Sequence, residues 1–175
     1  ISYVELGGVV PNPRLSLVYE GVELGEREDV DFILAVGGGS VIDSAKAIGY
    51  GLANKGDVWD LFDHKTEAKS CLPVGVVLTI AAAGSEMSNS SVITKEEGNI
   101  KRAYNNDISR PKFAIMNPEL TKTLPEYQTA SGCVDILMHT MERYLTNGGN
   151  MQITDGIAEA LMRTVISNAH ILRAD

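Results

Sequence analysis

Gly37-Gly38-Gly39-Ser40-Val41-Ile42-Asp43-Ser44-Ala45-Lys46 is the stretch that decides how this chain is read. An apolar run, Phe32-Ile33-Leu34-Ala35-Val36, leads into it, and a run with helical spacing, residues 41–53, leads out. That order predicts a strand, a glycine turn and a helix N-terminus. The first N–H groups of a helix have no intrahelical partner, and the helix dipole adds partial positive charge at the same end. Without Cβ atoms the turn lets an anion come close to the backbone. Ser40 is expected as the N-cap, with Asp43 three residues on completing an arrangement like a capping box. Two readings follow: a phosphate cradle for a nucleotide, or the tight strand-to-helix turn of any α/β protein.

The rest of the chain is consistent with an α/β fold. At 175 residues it is long enough for one domain with a sizeable core, and 44% hydrophobic with 22% charged residues is ordinary for a globular protein. The net charge of −8, with no Lys/Arg run, argues against nucleic acid or an anionic membrane as partner. No apolar run approaches the ~20 residues that span a bilayer, and residues 1–5 lack the pattern of a signal peptide. The chain does not begin with Met, so Ile1 is not expected to be a native start. Cys71 and Cys133 do not form a metal-type pair and are read as reduced thiols of a cytoplasmic protein.

Periodicity predicts a strand at 3–6, a turn through 7–13, a helix at 15–27, a buried parallel strand at 31–36 and a helix at 41–53. Residues 57–69 read as a solvated loop or short helix. A second buried strand at 74–80 runs into a small-residue loop, Ala81-Ala82-Ala83-Gly84-Ser85-Glu86. Residues 91–94 and 100–104 flank Glu96-Glu97-Gly98 as a hairpin, and 113–116 is a further strand. Amphipathic helices follow at 125–146 and 152–172, broken at Asn147-Gly148-Gly149-Asn150. Strands alternating with helices imply a Rossmann-like parallel sheet layer. The expected domains are therefore an α/β domain over 1–124 and the start of an all-helical domain over 125–175.

On the first of these two long helices, Asp135 and His139 lie four residues apart and so share one face. A carboxylate and an imidazole so placed can chelate a divalent cation such as Fe²⁺ or Zn²⁺, or can simply pair on a helix surface. Glu142 is on the same face, and Ala130, Ser131, Gly132 and Cys133 leave room for close packing. His64 and His170 lie in other segments, so the ligand set looks incomplete within this sequence.

Taken in order, Gly-Gly-Gly-Ser-x-x-Asp-x-Ala-Lys at 37–46, Gly84-Ser85-Glu86 and Gly132-x-x-Asp135-x-x-x-His139-x-x-Glu142 resemble the iron-containing (group III) alcohol dehydrogenases. Further matches are Gly8-Val9-Val10-Pro11-Asn12-Pro13 and Asn117-Pro118-Glu119-Leu120-Thr121-x-Thr123-Leu124-Pro125. Residues 134–144 look most like the NADPH-dependent butanol dehydrogenase branch. The resemblance implies a dinucleotide-binding α/β domain lacking its first strand, and a truncated helical domain. It also implies NADP(H), or alternatively NAD(H), as cofactor, an Fe²⁺ or Zn²⁺ ion, a small aldehyde or alcohol substrate, and a homo-oligomer. It places Gly37, Gly38, Gly39 and Ser40 at the pyrophosphate, Thr79 and Ser88 near the nicotinamide and ribose, and Lys101 at the ribose. Leu120 and Thr123 fall on the adenosine side, with Asn12 near the same end. Asp135 and His139 match the first two metal ligands, with two histidines expected further downstream. The chain departs from the family pattern at Ala81, Ser88 and Asn117, where proline, asparagine and aspartate are common. The alternatives are a non-catalytic nucleotide-binding fragment and a glycerol-dehydrogenase-like NAD enzyme.

Overall fold

The fold is described by a computed structural model covering residues 1–146 and 148–172. The elements in chain order are α1 (Leu15–Arg27), β1 (Ile33–Gly37), α2 (Gly39–Ala53), α3 (Trp59–Phe62), β2 (Val74–Leu78), β3 (Ser90–Lys95), β4 (Ile100–Asn105), β5 (Phe113–Ile115), α4 (Glu126–Tyr144) and α5 (Gln152–Leu172). The chain divides into two compact units. The first comprises Ile1–Thr79 and Gly84–Asn117, the second Ile80–Ala83 and Pro118–Asp175.

In the first unit, β1, β2 and β5 form a parallel sheet in the order β1-β2-β5, and β3 and β4 form an antiparallel hairpin. Helix α2 is the centre of this unit. Its Ile42 and Ala45 pack on Ala35, Val74, Val76 and Leu78 of the sheet. Its Ala47 and Tyr50 join Leu15, Val18, Trp59, Phe62, Ile93 and Tyr104 in a second core. Helices α1 and α2 approach closely because Gly21, Gly25 and Gly51 leave space for Ile48, Leu52 and Val22 respectively. A helix enclosed on most sides is apolar or pairs its polar groups, and that requirement governs Asp43 and Lys46 below.

Several expectations are corrected. Residues 1–10 hold no strand: the apolar alternation at 3–6 has no ladder partner among the described residues, and Tyr3, Val4 and Leu6 are exposed. Strand β1 is not buried on both faces, since Leu34 and Val36 are exposed opposite the α2 side. The segment read as a loop or short helix holds the short helix α3, but it is not solvated throughout: it supplies Trp59, Leu61 and Phe62 to the core, with the Trp59 and Phe62 rings stacked at 5.7 Å. Of the expected helix break, Asn147 lies outside the described residues. The ends of α1 and α5 coincide with the expected ones.

In the second unit α4 and α5 pack together, with the Tyr144 hydroxyl donating to Glu159 Oε1 at 3.0 Å. The short segment Ile80–Ala83 belongs here because it meets α4. A Cβ on Gly132 would stand 2.5 Å from the Ala81 carbonyl oxygen, so only glycine fits this crossing. No helix among the described residues is long and apolar enough to cross a membrane.

Candidate active site

Helix α2 begins one residue past Gly38, at the carboxyl end of β1. Gly38 is the N-cap in an extended conformation, and its carbonyl accepts from both Val41 N–H and Ile42 N–H at 3.1 Å. Ser40 is therefore not the cap but the second residue of the helix, and no side chain caps α2. This leaves the first-turn N–H groups of Gly39 and Ser40 without an intrahelical carbonyl, which is the requirement for an anion site. A Cβ at Gly37 would strike the Val41 side chain at 2.6 Å, whereas one at Gly39 would meet only Ser85 Cβ, at 3.9 Å. Gly37 is thus fixed by packing, and Gly39 faces open space. Thr79 N–H donates to the Gly37 carbonyl at 3.2 Å, which sets Thr79 beside the turn at the carboxyl end of β2. Ligands of open α/β sheets bind at this end of the strands.

Asp43 does not reach back to the helix start. Its carboxylate accepts from the Ser85 hydroxyl at 2.5 Å and from Val92 N–H at 3.0 Å. Burial pushes its pKa upward, against the opposing pull of those two hydrogen bonds and of the Lys46 and Lys101 charges. Lys46, fully buried, donates to the carbonyls of Ser85, Ser88 and Ser90 at 2.8, 2.8 and 2.9 Å. Burial draws its ammonium down to about 8, opposed chiefly by the Asp43 carboxylate. The sequence reading gave neither residue this role. The available signal was an acid and a base three residues apart on a helix too apolar to solvate them.

The remaining expected cofactor residues fall as follows. Ser88 accepts from Ser90 N–H at 2.8 Å through its hydroxyl, so its side chain already shapes the turn. Lys101, on β4, donates to Asn12 Oδ1 at 2.7 Å, joining two residues 89 positions apart. Asn12 adopts a left-handed backbone (φ 57°), which asparagine tolerates better than most residues. Leu120 and Thr123 belong to the second unit, at and just beyond a short turn of helix over Pro118–Thr121, and both are exposed.

Also in the second unit, α4 brings His139 Nε2 to 3.8 Å from Asp135 Oδ1, while His139 Nδ1 lies 3.9 Å from Glu142 Oε2. Both Asp135 and His139 are about half exposed, with 44% and 45% of their side-chain surfaces accessible. Donors sharing one cation at ~2.0–2.2 Å stand roughly 3–3.5 Å apart, so a small rotation of either side chain suits the pair to a shared ion. Among the described residues no group of three or more His, Cys, Asp or Glu gathers as a metal site. Cys71 is not a reactive thiol, since burial pushes it up to about 11.

A parallel sheet, a glycine turn at its carboxyl edge and a helix that opens its N-terminus there define a Rossmann-like α/β unit. The family model described as iron-containing alcohol dehydrogenase matches residues 1–118, and the chain belongs to that family. It is 48% identical over 171 residues to the probable NADH-dependent butanol dehydrogenase 2 of Bacillus subtilis, covering 98% of this chain and 44% of that protein. It is 38% identical over 171 residues to the NADPH-dependent aldehyde reductase YqhD of Escherichia coli, covering 96% of this chain and 44% of that one. The crystal structure of NADH-dependent butanol dehydrogenase A from Thermotoga maritima superposes with a TM-score of 0.95 at 42% identity. That match covers 98% of this chain and 43% of the other. The chain therefore spans less than half the length of these relatives.

Proposed function

We propose that the protein is an oxidoreductase that interconverts aldehydes and primary alcohols of the butanol type with a nicotinamide dinucleotide. The observation that carries this reading is the glycine turn, where first-turn amides of α2 stand open beside Gly39 and Thr79 at the carboxyl end of a parallel sheet. The first unit is the dinucleotide-binding part, and the second is a helical, metal-binding part.

The donor types fit both groups. Amides of Gly38, Gly39 and Ser40 hold the pyrophosphate, and Gly37 allows α2 to start where it does. Thr79 and Ser88 line the nicotinamide and ribose. Lys101, oriented by Asn12, donates to the ribose hydroxyls, and Leu120 and Thr123 serve the adenosine end. Asp135 and His139 supply a carboxylate and an imidazole to a divalent cation, Fe²⁺ or Zn²⁺, and Glu142 orients the imidazole through its other nitrogen. When bound, the nicotinamide supplies or accepts the hydride and the cation polarises the substrate carbonyl. The protein's part is to keep the anchor residues of each group rigid, and positioning of this kind contributes up to ~7–11 kcal/mol in ideal cases.

Of the two expected cofactors, NADP(H) and NAD(H), this reading favours NAD(H): the Bacillus relative at 48% identity is named NADH-dependent, and the E. coli relative at 38% NADPH-dependent. A cytoplasmic homo-oligomer acting on small aldehydes completes the reading. The test is aldehyde-dependent oxidation of NADH and of NADPH by the intact protein, with metal content measured in parallel, before and after Asp135→Ala and His139→Ala. Both variants are expected to lose metal and most turnover. Full turnover in both would remove the metal role, and nucleotide binding without turnover in any form would favour the non-catalytic reading.

A further inference from the structure

The most unusual feature outside the expected ligand set is a lysine with no exposed surface in the middle of α2. An ammonium group has three N–H donors, and Lys46 directs all three at main-chain carbonyls of one segment, those of Ser85, Ser88 and Ser90. Two of the three carbonyls between them are also taken. Met87 O accepts from Arg110 Nη1 at 2.7 Å, and Asn89 O accepts from Asn106 N–H at 3.0 Å and the Ser109 hydroxyl at 3.3 Å. Five carbonyls within residues 85–90 are thus engaged, two cations holding four of them. Burying a cation is costly unless it is fully hydrogen-bonded, so this segment is held to one conformation. Ser85, at its start, stands opposite the open side of Gly39, and Ser88 is one of the residues assigned to the cofactor above.

We propose that Lys46 is a positioning residue of the dinucleotide site: by drawing the Ser85, Ser88 and Ser90 carbonyls onto α2 it fixes residues 84–90 as the wall facing the glycine turn. Lys46 acts through this wall and touches no ligand itself. Charge-assisted bonds to carbonyls are stronger than neutral ones, and a neutral side chain of similar length, methionine, provides none of the three. The inference rests on the dinucleotide reading above, so its test has one readout that needs no cofactor.

The experiment compares the intact protein with Lys46→Met and with Arg110→Met, a milder change because Arg110 is half exposed and holds the same segment from outside. Amide hydrogen exchange without cofactor is expected to accelerate at least tenfold within residues 84–90 in Lys46→Met, and less in Arg110→Met, with α1 and the sheet unchanged. NADH titration followed by fluorescence is expected to show Kd raised at least tenfold in Lys46→Met. In turnover, KM for NADH rises by a similar factor, with kcat at saturating NADH changing far less. A lysine that only supports the fold would instead lower the active fraction, and so kcat, at constant KM. Unchanged exchange in residues 84–90 overturns the proposal, as does faster exchange with an unchanged Kd. If Lys46→Met does not fold, Arg110→Met decides by the same two criteria. Failure of the parent protein to bind NADH refutes the dinucleotide reading itself, and is distinguished because the exchange result stands apart from it.

Discussion

Replacing Gly132 by alanine tests the closest approach in the second unit. Gly132 lies in α4 three residues before Asp135, and an added Cβ would sit 2.5 Å from the Ala81 carbonyl oxygen. Ordinary contact begins near 3.4 Å, so helix and segment must part by roughly 0.9 Å, and the obstructing atom is main chain that cannot rotate away. Helix propensity alone favours alanine over glycine by about 1 kcal/mol. Overpacking of this kind costs about 1–3 kcal/mol, and a backbone obstacle belongs in the upper part of that range. The expected net effect is a loss of about 1–2 kcal/mol. Gly156 supplies the control: it lies inside α5, in the same unit, with nothing within 4 Å of its added Cβ. Gly156→Ala should therefore gain close to the full ~1 kcal/mol of propensity. Urea unfolding followed by helical circular dichroism reads both, and opposite signs are expected. If Gly132→Ala is as stabilising as Gly156→Ala, the close crossing of α4 and residues 80–83 is refuted.

Gly75→Ala looks equally crowded, with Phe113 Cζ at 2.4 Å and Phe32 Cζ at 2.8 Å, but both obstacles are ends of partly exposed rings. It should cost less than about 1 kcal/mol while disturbing the Phe32–Phe113 stack, which aromatic proton shifts would report. Burial raises the Tyr50 hydroxyl to about 12. Because the folded value lies above the unfolded one, Tyr50 contributes stability that is complete below pH 10.0 and is lost as pH rises toward 12. Tyr50→Phe should therefore flatten the decline of unfolding free energy over that window, measured by denaturant titration at stepped pH.

The elements that could be read from the sequence were those whose pattern is set locally. The run from residue 33 to the glycine turn, the helical spacing over Leu15–Arg27 and Gln152–Leu172, and the hairpin around Gly98 each carry their own period or turn residue. Three misreadings each turned on something the local pattern does not carry. Residues 3–6 alternate like a strand but have no neighbour to pair with among the described residues. Trp59 and Phe62 sit among charged residues yet enter the core because Tyr104, some forty positions later, packs on Phe62. Ser40 is a good capping residue, but Gly38 already has the extended backbone and carbonyl geometry that start the helix. In the candidate site, Asp135 and His139 were legible because an i, i+4 spacing fixes their proximity without any tertiary information. The Lys101–Asn12 contact could not be derived from spacing, and only the family resemblance placed the two residues in one site.

Asp43 and Lys46 raise a final question: whether they stay buried for their mutual attraction or for their separate partners. Coulomb attraction is indifferent to which residue carries which sign, but hydrogen bonding is not. Asp43 accepts from a hydroxyl and an N–H, and Lys46 donates to three carbonyls. The main chain of residues 85–92 cannot exchange its donors and acceptors. The double exchange Asp43→Lys with Lys46→Asp keeps net charge and pair attraction, yet it turns an acceptor toward three carbonyls and a donor toward Val92 N–H. If the polarity of the backbone decides, the double variant should be no more stable than Asp43→Ala, which leaves Ser85 and Val92 without an acceptor at a cost of roughly 2–4 kcal/mol. If attraction between the two charges decides, the double variant should recover most of the parent's stability. The geometry favours the first outcome, because neither charge lacks a hydrogen-bonding partner on the segment it holds. Recovery to within about 1 kcal/mol in thermal or urea unfolding would refute it, and residues 85–92 would then be held by the helix's charge pair rather than by the direction of their own peptide groups.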